Sequence, residues 1–148
     1  MNTACQIWNR ALEDYGLASP VLGDHALAAM LLAHGLVMNG GVLDAVEIMN
    51  ESQLAAAMSG YRFFGFDQVA ALLLRTKEIL VAGTADPTEL GRSAIDAVEV
   101  VLLEEDGHLS ELEPQLDLEY QGYIPDDSAL FERFERHLAA NPGDFACL

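Results

Sequence analysis

Carboxylates are the residues of this chain present in sufficient number to suggest chemistry. No lysine or arginine occurs between Arg92 and Arg133. That interval carries Asp96, Glu99, Glu104, Glu105, Asp106, Glu111, Glu113, Asp117, Glu119, Asp126, Asp127 and Glu132, with His108 as its one candidate cation. Carboxylates can bind a cationic surface, hold a divalent metal, or act as general acid and base. The spacing favours the first. Glu104-Glu105-Asp106-Gly107-His108 lacks the Asp-x-Asp-x-Asp-Gly order of a calcium loop and reads as a solvated segment. Acid pairs for general catalysis are uninformative in so acidic a chain.

Other chemistries find less support. None of His25, His34, His108 and His137 stands three or four residues from another, so no helix offers a His–His metal pair. His34 sits in an apolar run and reads as a core histidine. Serines and cysteines are present without a Gly-x-Ser-x-Gly elbow, and Gly40-Gly41 is not followed by the Gly-Lys-Ser/Thr of a phosphate loop. Tyr61-Arg62-Phe63-Phe64 joins one cation to aromatics, but no wider basic patch makes it a nucleic-acid platform. No catalytic residue, metal or cofactor is expected.

The formal charge is −17, yet 51% of the residues are hydrophobic. That hydrophobic share argues against disorder, so the apolar residues must be segregated inside and most of the charge spread outside. The acidity argues against direct binding to nucleic acid or to an anionic membrane. The longest apolar run, Ala26 to Met38, is interrupted by His34 and is too short to span a bilayer. Met1 to Arg10 show no basic region followed by an apolar run, so no signal peptide is expected. Cys5 and Cys147 could form a staple between the ends, but two thiols in a reducing cytosol suit a chain of this size better. The expected location is cytoplasmic.

The elements that must display these acids read as helices. At 148 residues one domain, 1–148, is expected. Asn2 or Thr3 can cap a first helix with Trp8, Ala11, Leu12 and Tyr15 on one face, stopped at Gly16. Ser19-Pro20 suits a short turn. Asp24 is expected to cap a central helix, apolar nearly all round, that ends at Asn39-Gly40-Gly41. Val42 to Met49 follows, then a capping box of Asn50 and Gln53, then a helix closed by Gly65. Asp67 is expected to cap the next, ended by Gly83. Asp86-Pro87-Thr88-Glu89 is a strong start signal for another, with Arg92, Asp96 and Glu99 on its wet face. Gly107 and Pro114 predict a loop or short turns over Glu104 to Pro114, with a short helix over Leu116 to Tyr123. Pro125-Asp126-Asp127 starts the last helix, Asn141-Pro142-Gly143 stops it, and Phe145 is free to fold back onto the body. No alternating strand pattern appears, so the expected fold is an all-α bundle of about six to eight helices.

Three segments carry a resemblance. Asn39-Gly40-Gly41 lies at a helix junction. Phe64-Gly65-Phe66-Asp67-Gln68-Val69-Ala70 joins two helices. Leu116-Asp117-Leu118-Glu119-Tyr120 is followed by Pro125-Asp126-Asp127 and Asn141-Pro142-Gly143-Asp144-Phe145. In order and spacing these resemble the DNA-mimic protein nineteen family of small acidic helical bacterial proteins. One departure stands out: Val42, Ala45 and Val46 follow Asn-Gly-Gly where that family commonly has aromatics. The resemblance implies a dimeric, non-enzymatic protein whose carboxylates stand in for DNA phosphates on the DNA-binding face of a transcription factor. Duplex DNA carries one charge per about 1.7 Å of axis, so fixed carboxylates at comparable spacing compete for the same cationic cleft.

From sequence, the leading expectation is an acidic module that occupies a basic protein surface through Asp96, Glu99, Glu104, Glu105, Asp106, Glu111, Glu113, Asp117, Glu119, Asp126 and Asp127. An immunity-type protein neutralising a basic toxin or nuclease is the second. A small carboxylate-dependent enzyme is the third, and it requires a hollow where several acids converge.

Overall fold

The computed structural model describes residues 3–14, 21–84 and 106–146. These form seven α-helices and a terminal 3-10 turn: α1 (Thr3–Asp14), α2 (Leu22–Gly40), α3 (Val42–Ile48), α4 (Glu51–Phe63), α5 (Asp67–Thr84), α6 (Asp106–Tyr123), α7 (Asp127–Ala140) and the turn Pro142–Asp144. No strand occurs among the described residues, and the protein is an all-α bundle. The expected stop at Gly16, the turn at Ser19-Pro20 and the helix starting at Asp86-Pro87 lie outside the described residues. No helix among those described is long and apolar enough to cross a membrane.

The central position of α2 follows from its sequence. Leu27, Ala28, Met30 and Ala33 are fully buried, and the helix packs against α1, α3, α4 and the terminal turn. Its most extensive contact is with α4, and Gly60 lies in that contact. A Cβ there would run into the Ala26 carbonyl oxygen and press on the Met30 backbone nitrogen at 3.3 Å. Glycine lets the two backbones approach directly.

Asn39-Gly40-Gly41 makes the expected sharp junction. Gly41 has φ +93°, donates its N–H to the Val37 carbonyl at 2.7 Å and accepts from the Ala45 N–H at 3.0 Å, so α2 ends and α3 begins across one residue. The capping box closes in both directions: Gln53 N–H donates to Asn50 Oδ1 at 2.8 Å, and Asn50 N–H to Gln53 Oε1 at 3.0 Å. Asp126 caps α7 by accepting from the Ala129 N–H at 3.2 Å. Phe145 folds back against Phe64 and Phe134.

Several expectations are corrected. Asp24 does not cap α2. The helix starts one turn earlier, at Leu22, with Val21 at the cap position. Asp24 is instead buried, its carboxylate accepting from Arg10 at 2.7 Å and from the Ala146 N–H at 2.9 Å. It therefore ties α1 and the C-terminal segment to α2. Asp67 is the first residue of α5 and not its cap, and Gly83 lies within the last turn of that helix.

A further correction concerns Pro114. Residues 106–114 are not a loop, because one helix of 18 residues runs through Pro114. An interior proline costs about 3 kcal/mol through its missing N–H and its ring clash. Burial of Leu116, Tyr120 and Ile124, with Leu112 packed beside them, outweighs that local cost.

Candidate functional site

Two features could carry function: a chain of polar groups through the core, and a cleft between α1 and α7.

The chain starts at the surface. The Asp127 side chain is 79% exposed, and its Oδ1 lies 2.6 Å from His34 Nε2. His34 Nδ1 lies 2.7 Å from the Tyr120 hydroxyl, which lies 2.7 Å from the Tyr61 hydroxyl. Tyr61 is 0% exposed. One proton order satisfies every member. Tyr61 O–H donates to Tyr120, Tyr120 O–H donates to His34 Nδ1, and His34 Nε2–H donates to Asp127. Any other order leaves a hydroxyl hydrogen without an acceptor in the dry core. Burial raises both tyrosine hydroxyls above their ordinary pKa, with the neighbouring Tyr120 adding to the rise at Tyr61. Both phenols are therefore held neutral. Tyr120 is packed on all sides, its ring stacked on His34 and edge-on to Tyr61. This network fastens α2, α4, α6 and the start of α7 together.

The α1–α7 cleft has a volume of about 550 Å³ and is lined by Trp8, Asp127, Phe131, Glu132 and Glu135 with Cys5, Asn9 and Ser128. Trp8 and Phe131 meet edge to face, ring centres 5.0 Å apart. Glu132 and Glu135 are exposed and form no ion pair among the described residues. Arg133 stands between them in sequence but turns away, donating to the Phe64 carbonyl at 3.4 Å with its guanidinium 5.1 Å from the Phe66 ring centre.

The acids expected to form one binding surface are distributed over several places. Asp96, Glu99, Glu104 and Glu105 lie outside the described residues. Asp106 and Glu111 lie in the N-terminal part of α6. Glu113 is exposed on the same helix. Asp117 is half-buried and accepts from the Val42 N–H at 2.9 Å, so it caps α3 from another helix. Glu119 pairs with Arg75 of α5. Asp126 caps α7 and Asp127 holds His34. Four of the expected contact residues thus have structural duties. Glu132, Glu135, Trp8 and Phe131 were not singled out as site residues from sequence. Their conjunction in one cleft has no signal in spacing, because Trp8 and Phe131 lie on the first and last helices.

No group of three or more His, Cys, Asp or Glu side chains is placed to share a metal ion among the described residues. Compared with known protein families, curated proteins and solved structures, the chain matches none.

Proposed function

We propose that this protein is an acidic binding module that occupies the basic surface of a DNA-binding protein, a transcription factor being the first candidate. One observation carries the reading: among the described residues, exposed carboxylates without an ion pair outnumber such cations, three of the arginines being engaged within the fold. Arg10 is committed to Asp24, Arg75 to Glu119, and Arg133 to Phe64 and Phe66. Glu13, Glu47, Glu51, Glu78, Glu113, Glu132 and Glu135 are exposed and make no ion pair among the described residues. A rigid anionic surface of this kind attracts a cationic partner at long range and repels nucleic acid and anionic membranes. The likeness of three segments to the DNA-mimic protein nineteen family supports the choice of a DNA-binding partner.

The experiment is affinity capture from native lysate at low salt. Expected are one or a few basic DNA-binding proteins, released by salt and by added duplex DNA. Capture of neutral partners only, insensitive to salt, contradicts the reading.

A further inference from the structure

We infer that the α1–α7 cleft is a receptor for a single arginine side chain of the basic partner, an inference that rests on the reading above. The cleft joins two kinds of wall. Trp8 and Phe131, set edge to face, give an aromatic one, and a planar guanidinium stacks on such a ring better than an ammonium does. Glu132, Glu135 and Asp127 give an anionic one, suited to the forked N–H groups of the same guanidinium. Asp127 Oδ1 is already held by His34, which fixes where that carboxylate stands.

Neither arginine beside these glutamates pairs with them: Arg136 is exposed and makes no ion pair among the described residues. Arg133 is adjacent to Glu132 and two residues from Glu135, yet its guanidinium lies over Phe66 and reaches the Phe64 carbonyl. The two glutamates stand beside the aromatic rings with no ion-pair partner among the described residues. That combination is favourable for a surface that takes a cation from outside. An aromatic pocket that receives an arginine is also the usual form of an interface anchor.

The test is a titration of the full chain with N-acetyl-arginine amide, followed by the Trp8 indole N–H and the backbone amides of α7 in NMR spectra. The uncharged citrulline analogue is the control for shape. Expected are saturable shifts at Trp8, Phe131, Glu132 and Glu135 that citrulline does not produce. The double variant Glu132→Gln/Glu135→Gln should weaken them about tenfold, the loss of two part-exposed ion pairs. Glu113→Gln, an exposed carboxylate on α6, should leave them unchanged. Shifts that never saturate, that follow citrulline equally, or that fall as much in Glu113→Gln overturn the arginine receptor. Repeating the lysate capture with the double variant separates this inference from the broader reading. Undiminished salt-sensitive capture together with absent arginine shifts removes the receptor and leaves the acidic module standing. Saturable arginine shifts with no cationic protein captured by the wild type do the reverse.

Discussion

The hydroxyls of Tyr61 and Tyr120 lie 2.7 Å apart in the centre of the bundle, and among the described residues the Tyr61 hydroxyl bonds to no other group. The pair belongs to a chain that runs through His34 to the exposed Asp127.

Alkaline stability follows from this pair. Both hydroxyls have pKa values raised above the ordinary 10.0, burial being the first cause. Below pH about 10 both phenols are neutral folded or unfolded, so their full contribution is present. Above it the unfolded chain loses these protons first, and the native state is destabilised. The slope is about 1.4 kcal/mol per pH unit for each tyrosine, so about 2.8 for the two. Urea unfolding at pH 9.5, 10.5 and 11 should show that loss, and Tyr61→Phe should remove about half of it.

The two ends of the polar chain should respond unequally to substitution. His34→Leu leaves the buried Tyr120 hydroxyl without its acceptor and should cost about 1–3 kcal/mol. Asp127→Asn keeps a hydrogen-bond acceptor at a largely exposed position and should cost under about 1 kcal/mol. Denaturant midpoints of the two variants check the order.

Arg10 and Asp24 should behave as a buried pair. The Asp24 side chain is 3% exposed and also accepts from the Ala146 N–H. Arg10→Met removes the guanidinium from that buried carboxylate and should cost about 3–5 kcal/mol. The matching control is Arg75→Met. It removes the more exposed pair with Glu119 and should cost under about 1 kcal/mol. Thermal unfolding of both variants at one pH is sufficient.

Gly60→Ala should be damaging although it adds only a methyl group. The new Cβ meets the Ala26 carbonyl, a backbone atom that cannot rotate aside. Separation of α2 from α4 should cost about 1–3 kcal/mol or more. Gly35 has open space at its Cβ position, and Gly35→Ala on the exposed face of α2 should be neutral or stabilising by up to about 1 kcal/mol.

What could be read from the sequence was local. The Asn50–Gln53 box, the Asp126 cap and the Asn39-Gly40-Gly41 junction each involve partners within four residues, where residue type dictates geometry. Phe145 was legible because a proline–glycine stop left an aromatic beyond it. Asp24 misled because its partners stand 14 and 122 residues away and a capping residue looks the same as a buried ion-pair acid. Pro114 misled because the burial that overrides it comes from other helices. The polar chain joins residues separated by 59, 86 and 93 positions, and no spacing rule connects them. For the candidate site, the acidity was plain, but not which acids were already engaged. Asp117, Glu119, Asp126 and Asp127 are occupied by Val42, Arg75, Ala129 and His34.

The proposed function is tested most directly by competition for a captured DNA-binding protein. Its labelled duplex DNA is followed by fluorescence anisotropy while this protein is added at two salt concentrations. The account predicts complete release of the DNA, a potency that falls as salt rises, and a weaker effect from Glu132→Gln/Glu135→Gln at unchanged fold stability. DNA that stays bound in the presence of saturating acidic protein, with a ternary complex forming in its place, would contradict it.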